Sequence, residues 1–153
     1  MKYSDVFLGL GSNIGNRSEY LNTAIKMLQE DKKVRVVQES SVIETLPMGE
    51  IAEGLFLNQV IEIETEYEPM ELLHRCLVIE QSQGRSRERK WESRTLDIDI
   101  LFFGEQNIKT DRLTVPHSEA CNRHFVLIPL AEIAPEYIHP TLKQSIQTML
   151  GTV

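Results

Sequence analysis

The sequence predicts an α+β fold in which an antiparallel sheet carries helices packed on it, followed by short C-terminal helices. Four apolar segments have the length and alternation of strands, and two segments between them repeat apolar residues at helical spacing. Their order along the chain is strand, helix, strand, strand, helix, strand. This βαββαβ order with a hairpin in its middle is typical of the ferredoxin-like architecture.

The first half of the pattern contains three strands and one helix. Residues 6–10 form a buried apolar run that predicts a strand, and the glycine-rich segment 11–16 predicts a turn after it. The next apolar residues recur at helical spacing and predict a helix: Leu21, Ala24, Ile25 and Leu28. The valines of 34–37, continued by 41–44, predict the second strand, and the alternating segment 56–63 predicts a third strand that could pair with it.

Proline and glycine bound the second half of the pattern. Pro69 stands at the favoured first-turn position of a helix whose apolar face continues to a stop near Gly84. Residues 96–103 predict the fourth strand. The proline-punctuated tail predicts short helices near 125–133 and 142–150.

The composition is that of an ordinary globular protein. The 153 residues, 41% of them hydrophobic and 25% charged, predict one domain over 1–153. A net charge of -7 disfavours nucleic acid and anionic membranes as partners, so any anion site has to be local. The sequence contains no CxxC spacing and no apolar span of about 18 residues, and its first residues lack the pattern expected of a secretory leader. We therefore expect a cytoplasmic protein without nucleic-acid or membrane partners, and we expect a monomer.

Two acidic residues share one face of the fourth predicted strand. In the segment 96–100 a period of two sends Asp97 and Asp99 to one side and the aliphatic residues to the other. Carboxylates on residues about 7 Å apart at Cα repel one another unless a cation lies between them, and oxygen ligands of this kind suit Mg²⁺. The alternative is a pair of exposed acids, or acids paired with arginines, that hold no metal.

A basic segment directly precedes the acidic pair. Residues 85–94 contain five of the 16 basic residues of the chain and only two acidic ones. Arginine forks bind phosphate oxygens, so arginines beside metal-binding acids are expected at a polyphosphate site. A solvated run of charge is the alternative, and the large apolar ring of Trp91 within the segment argues against it.

Other phosphate-binding patterns do not occur in the sequence. The glycines of 9–15 lack the G-x-G-x-x-G spacing of dinucleotide-binding folds, and no G-x-x-x-x-G-K-[ST] is present, so this segment is interpreted as a flexible turn. Among the four histidines only His117 is interpreted as a possible phosphate ligand. His74 and His139 are interpreted as structural.

An aromatic residue and an amide share one face of the third predicted strand. Phe56 and Asn58 lie two positions apart, so an apolar ring stands beside a group that can both donate and accept hydrogen bonds. A flat heterocycle could use both, and Phe125 could stack on its other side. Core packing of the two phenylalanines is the alternative.

Six segments together resemble the 6-hydroxymethyl-7,8-dihydropterin pyrophosphokinases of folate biosynthesis, over nearly the whole chain. They are Gly-Leu-Gly-Ser-Asn-Ile-Gly at 9–15, Glu-Thr-Leu-Pro-Met-Gly at 44–49, Phe-Leu-Asn-Gln-Val at 56–60, Gly-Arg-Ser-Arg at 84–87, Arg-Thr-Leu-Asp-Ile-Asp-Ile-Leu at 94–101 and Leu-Thr-Val-Pro-His at 113–117. The resemblance implies an enzyme that transfers the β,γ-diphosphoryl group of ATP to the hydroxymethyl oxygen of the reduced pterin and releases AMP. It also implies that residues 1–153 form a single catalytic domain of the ferredoxin-like type.

The same resemblance implies a set of site residues. Asp97 and Asp99 would hold two Mg²⁺ ions, while Arg85 and Arg94 would neutralise charge on the transferred group. Further contacts that fix ATP are implied at Glu80, Arg112, His117 and Arg123. The residues implied for the pterin pocket are Thr45, Met48, Phe56, Asn58, Trp91 and Phe125.

Phosphoryl transfer needs positioning and charge neutralisation more than covalent help, so we expect no covalent intermediate. The proton of the hydroxyl group could pass to Asp97 or to a water or hydroxide bound at the metal, and the sequence does not choose between them. Two other functions remain as alternatives. One is an RNA-binding module on a ferredoxin-like sheet, and the other is a metal-dependent phosphohydrolase that uses the same acids with water as acceptor.

Overall fold

The computed structural model describes residues 1–46, 56–84, 96–118 and 123–152. The first elements are β1 (Tyr3–Ser12), α1 (Arg17–Glu30), β2 (Val34–Glu39), β3 (Ile43–Thr45) and β4 (Phe56–Thr65). They are followed by α2 (Pro69–Ser82), β5 (Asp97–Phe103), β6 (Ile108–Lys109), β7 (Thr114–Val115), α3 (His124–Ile133) and α4 (Ile146–Thr152).

The main sheet has the order β2-β4-β1-β5, and β3 pairs with β4 as well. All of these pairings are antiparallel. The two long central strands are therefore the first and third of the βαββαβ pattern, and the second and fourth lie at the edges. The predicted α+β fold with its antiparallel sheet is confirmed.

The second predicted strand is two strands, because Ser40 interrupts it. The main-chain N–H of Ser40 donates to Val60 O at 2.9 Å, while the Ser40 hydroxyl accepts from Val60 N at 2.9 Å. The Ser40 hydroxyl thus takes the place of the main-chain carbonyl that would accept from β4 in a regular strand pair. As a result β2 ends at Glu39, and pairing with β4 resumes at Ile43. The predicted pairing of the second and third strands is confirmed for both pieces.

The last helix begins later than the prediction of 142–150. Lys143 has a φ of 59°, which is left-handed and incompatible with a helix. The Ser145 hydroxyl then accepts from the Thr148 N–H at 3.2 Å and caps α4, which starts at Ile146. The small hairpin of β6 and β7 is a further element that the apolar pattern does not predict, because each strand has only two residues.

Helices pack on both faces of the sheet. The buried residues of α1 and α2 form one core with the sheet, and they include the predicted set Leu21, Ala24, Ile25 and Leu28. On the other face α3 and α4 pack over Phe7, Val60 and Phe102. Within the described residues, no helix combines the length and the apolar character needed to cross a membrane.

Candidate active site

The acidic pair lies on the face of the sheet that carries α3 and α4. Ile98 and Ile100 are buried in the core formed with α1 and α2, so Asp97 and Asp99 point to the opposite face, as predicted from the period of two. Both acids are half-buried, and the Asp99 side chain is 45% exposed. The structure thus places two carboxylates side by side where solvent and a ligand can reach them.

Glycines separate the acidic pair from β4. Gly11 pairs with Asp97 on one side and Asn58 on the other, and Gly9 pairs with Asp99 and Val60. Because strands lie about 4.8 Å apart, Asn58 and Asp97 are about 10 Å apart across a strand position without a side chain. The acids and the amide therefore border a shallow trough floored by the backbone of β1.

The prediction of a turn beginning at Gly11 is wrong, because β1 continues to Ser12 and pairs along its length with both neighbours. A Cβ atom on Gly11 would lie 3.4 Å from Asn58 Oδ1, and one on Gly9 would lie 3.4 Å from a Leu101 methyl. Gly9 thus makes room for the Leu101 side chain, while Gly11 leaves room beside the Asn58 amide. The period of two in this segment, with Leu8 and Leu10 facing the core, is the signal that could have identified these glycines as strand residues.

Asn58 is oriented by Thr45. The Asn58 Nδ2 donates to Thr45 Oγ1 at 2.8 Å, and Thr45 is only 2% exposed. This bond leaves Asn58 Oδ1 as the acceptor on the side of Gly11. The amide can therefore recognise a ligand donor, while the Thr45 side chain acts behind it.

Phe56 and Phe125 belong to the same side of the sheet but to different elements. Phe56 lies two residues before Asn58 in β4, so both side chains are on the same face of the sheet, and Phe56 is half-buried. Phe125 stands at the second position of α3 and packs against the core of that face. The far end of α3 is held in place by Glu132, whose carboxylate accepts from the Ser41 N–H at 3.0 Å and the Ser41 hydroxyl at 2.8 Å.

His117 comes close to the acidic pair from the segment after β7. Its main-chain N–H donates to Leu101 O at 2.9 Å, which fixes it beside β5. Its Nε2 lies 3.9 Å from Asp99 Oδ1, an ion-pair distance when the ring is protonated. His117, which the sequence analysis interprets as a possible phosphate ligand, therefore lies beside the acidic pair.

Glu80 approaches β5 from α2, below the sheet. It is 2% exposed, and its Oε2 accepts from the Ile98 N–H at 2.7 Å. Cys76 lies one turn earlier on the same helix; burial raises the pKa of its thiol, and the carboxylates of Glu80 and Asp99 raise it further. The thiol therefore stays protonated at neutral pH and is no nucleophile.

The two remaining arginines predicted to bind ATP lie in separate segments of the described chain. Arg112 is exposed in the turn between β6 and β7, where its main-chain N–H donates to Thr110 Oγ1 at 3.3 Å. Arg123 precedes α3 directly, and its carbonyl accepts from the N–H groups of the first turn. Other predicted site residues lie outside the described part of the chain: Met48, Arg85, Trp91 and Arg94.

Comparison with known proteins decides the family. The family described as 7,8-dihydro-6-hydroxymethylpterin-pyrophosphokinase matches residues 7–135 of this chain. The chain belongs to this family. Its members include a similar protein of Bacillus subtilis, named 2-amino-4-hydroxy-6-hydroxymethyldihydropteridine pyrophosphokinase, which is 45% identical over 130 residues, or 85% of this chain and 78% of that protein.

A second relative supports this placement, and one solved structure shares the fold. A protein of Methylorubrum extorquens with the same name is 43% identical over 132 residues, which cover 86% of this chain and 84% of that protein. A crystal structure of an HPPK-DHPS in complex with substrates matches 99% of this chain with a TM-score of 0.79 and 16% identity. This chain spans only 43% of that longer protein, and at such identity the likeness shows the fold alone.

The donor set of the site fits the magnesium that is predicted for it. Among the described residues no group of three or more His, Cys, Asp and Glu side chains is arranged to hold a metal ion. Two carboxylates on one strand face are nevertheless the kind of site that Mg²⁺ uses, because it keeps several waters and takes its other ligands from substrate phosphates. The half-exposed Asp97 and Asp99 leave room for such ligands.

Three features of the site escape the sequence analysis. The Thr45 to Asn58 bond joins residues that are 13 positions apart, Glu80 to Ile98 spans 18 positions, and Glu132 to Ser41 spans 91. Each depends on how elements pack, which a periodic pattern does not encode. Only Glu80 carries a local signal, because a carboxylate on the buried side of an amphipathic helix needs a polar partner.

Proposed function

We propose that this chain is an ATP-dependent enzyme of folate biosynthesis that acts on 6-hydroxymethyl-7,8-dihydropterin. It transfers the β,γ-diphosphoryl group of ATP to the hydroxymethyl oxygen of the pterin and releases AMP. Membership in the pyrophosphokinase family supports this reaction. The observation that carries it on the structural side is the glycine-floored trough, with the acidic pair along one border and Asn58 along the other.

Asp97 and Asp99 are proposed as the ligands of two Mg²⁺ ions. When bound, the ions neutralise the triphosphate and hold its oxygens for in-line displacement. Asp97 and Asp99 contribute by holding their carboxylates on one strand face, where bound cations reduce their mutual repulsion. His117 beside Asp99 supplies a further group for the phosphate end of ATP.

The other side of the trough is proposed as the pterin site. Asn58, oriented by Thr45, offers Oδ1 to N–H donors at the edge of the pterin ring. Phe56 and Phe125 are proposed to sandwich the ring, since offset stacking adds about 1 kcal/mol per aromatic pair beyond burial. Met48 and Trp91, outside the described residues, complete the proposed pocket.

Basic side chains are proposed to balance the charge of the nucleotide. Arg85 and Arg94 neutralise the transferred group, and Arg112 and Arg123 bind ATP, as arginine forks suit phosphate oxygens. Glu80 is proposed to serve the ATP side indirectly, through its hydrogen bond to the Ile98 N–H. No covalent intermediate is needed, and the hydroxyl proton leaves to Asp97 or to water.

We further propose that residues 1–153 act as a single catalytic domain, in the cytoplasm, as a monomer that binds neither nucleic acid nor membranes. The excess of acidic residues supports the absence of nucleic-acid and anionic-membrane binding. Gel filtration at several protein concentrations tests the oligomeric state.

Separation of nucleotides after incubation tests the proposed reaction. The protein is incubated with ATP and Mg²⁺, with and without 6-hydroxymethyl-7,8-dihydropterin. The proposal predicts AMP and a diphosphorylated pterin in equal amounts, formed only when both substrates are present. Formation of ADP or phosphate without the pterin identifies a phosphohydrolase instead, and Mg²⁺-independent binding of single-stranded RNA with steep salt dependence identifies an RNA-binding module.

A further inference from the structure

The outer edge of β5 is held by a buried carboxylate. In the main sheet β5 is the last strand, and it pairs with β1 alone among the described strands. The Ile98 N–H donates to Glu80 Oε2 at 2.7 Å. Ile98 is the residue that separates Asp97 from Asp99, so this hydrogen bond is made at the middle of the acidic pair.

We infer that Glu80 is a positioning residue: its carboxylate, bound to the main-chain N–H between the two aspartates, fixes the spacing and direction of their side chains. This inference rests on the proposed function of the acidic pair. It deepens that function by assigning to Glu80 a role that acts through β5 and needs no contact with ATP.

The burial of the Glu80 side chain favours this positioning role over direct binding of the nucleotide. Glu80 is 2% exposed and lies on the side of the sheet that packs on α1 and α2, whereas both aspartates are half-buried on the opposite face. A carboxylate in that position costs free energy unless its oxygens are hydrogen-bonded. The bond to Ile98 supplies such a partner for this carboxylate.

The support behind Glu80 is rigid. Its neighbours on α2, Cys76 and Ile79, are 1% and 0% exposed within the core. The helix begins at a capping box in which the Glu71 side chain accepts from the Glu68 N–H at 2.9 Å. An edge strand otherwise has unpaired N–H groups on its outer side, and a metal site needs its ligands held to within about 0.5 Å. A hydrogen bond to a side chain of a packed helix supplies that restraint.

Two substitutions separate the reach of the side chain from its charge. Glu80→Gln keeps the length and an acceptor oxygen but removes the charge, while Glu80→Asp keeps the charge but is one methylene too short for the Ile98 N–H. The inference predicts that Glu80→Gln stays close to the wild type. It predicts that Glu80→Asp weakens Mg²⁺-dependent binding of a non-hydrolysable ATP analogue about 10- to 100-fold, as for other residues that orient metal ligands.

Three readouts are measured on each variant: analogue binding with Mg²⁺, AMP binding in EDTA, and exchange of the Ile98 amide hydrogen. The exchange is expected to accelerate at least tenfold in Glu80→Asp and to remain slow in Glu80→Gln. AMP binding in EDTA is expected to change in neither. Thr65→Val is the matched control, because the Thr65 hydroxyl is also buried and donates to a main-chain carbonyl, that of Lys33, at 2.9 Å. It is expected to lower the melting temperature without altering binding.

If Glu80→Gln impairs Mg²⁺-dependent binding and Glu80→Asp does not, the inference is overturned, because the charge of Glu80 then matters and the length of its side chain does not. Equal binding of the analogue in both variants would show that Glu80 serves only the fold. Loss of AMP binding in EDTA would show that Glu80 contacts the nucleotide. Either outcome overturns the inference. If Glu80→Asp does not fold, Glu80→Gln still tests the inference, because impaired Mg²⁺-dependent binding in that variant overturns it. Failure of the wild type to bind the analogue with Mg²⁺ instead refutes the proposed function, while the amide exchange continues to test the bond itself.

Discussion

The amide of Asn58 donates to the hydroxyl of Thr45 at 2.8 Å, and this bond determines which atom of Asn58 faces the trough. This bond turns Nδ2 toward Thr45 and uses one of its two N–H donors, so Oδ1 is left to accept from a ligand. The pocket is thereby prepared for a heterocycle that presents N–H donors at its edge. Thr45 itself is buried, so its proposed influence on recognition acts through Asn58.

Thr45→Val removes this bond while keeping the shape of the side chain. The Asn58 amide loses its partner and can rotate, and an unsatisfied buried polar group costs about 1–3 kcal/mol. We expect the KM for the pterin to rise about tenfold, with the KM for ATP unchanged; steady-state kinetics measures both. Thr65→Val, at the far end of β4, is the control that should leave the pterin KM unaltered. An equal change in both KM values contradicts the orienting role.

Gly11→Ala places a methyl group on the floor of the trough. The new Cβ would lie 3.4 Å from Asn58 Oδ1, an ordinary van der Waals contact, so the methyl group fits without displacing the amide but covers the side of the acceptor that faces the trough. Because a shielded acceptor loses its hydrogen bond to the ligand, worth about 0.5–1.5 kcal/mol, we expect pterin affinity to fall by up to about tenfold. Isothermal titration with the pterin in the presence of an ATP analogue measures this loss.

Gly151→Ala serves as the control for that experiment, since the Cβ it adds meets nothing within 4 Å in the described residues. Its pterin affinity should equal that of the wild type. Wild-type affinity in Gly11→Ala would show that the trough floor is not part of the pterin site.

His139 makes the stability of the fold depend on pH. Its buried ring accepts two hydrogen bonds at Nδ1, from the Thr141 N–H at 3.1 Å and the Leu142 N–H at 3.0 Å, and burial lowers the pKa of the ring. The unfolded chain therefore takes up a proton below about pH 6.5 while the folded chain does not, and the free energy of unfolding falls as the pH decreases from about 6.5 toward the lower folded pKa.

Urea denaturation between pH 7.5 and 5.5 measures that dependence. His139→Asn is expected to be less stable than the wild type at pH 7.5 but to lose less stability on acidification, because no imidazole titrates at this position. His74→Gln, at an exposed position of α2, should retain the wild-type slope. Identical slopes in the wild type and His139→Asn would contradict the role of His139.

The sheet and the acidic pair could be predicted from the sequence because they depend on local periodicity. A period of two places Asp97 and Asp99 on one face whatever packs against it, and the spacing of Leu21 to Leu28 identifies the buried side of α1 in the same way. The resemblance to a known family added the reaction and its substrates. These predictions required no knowledge of which elements are neighbours.

The remaining features depend on tertiary neighbours and could not be predicted in this way. Ser40 breaks a strand because Val60 lies opposite it, and Lys143 delays α4 through its backbone conformation. The trough exists because Gly11 lies between Asn58 and Asp97, which are distant from it in sequence and from each other. A pattern of residue types does not contain that register.

Titration of AMP release with Mg²⁺ tests the central role of the acidic pair most directly. The wild type, Asp97→Asn and Asp99→Asn are compared at saturating ATP and pterin, with Asp5→Asn as the control because asparagine tolerates its positive φ of 54°. The account predicts no AMP in EDTA, a rate that rises with Mg²⁺ in the wild type and Asp5→Asn, and a loss of at least about 100-fold in each of the other variants. Turnover that survives EDTA, or that is undiminished in both Asp97→Asn and Asp99→Asn, would contradict it.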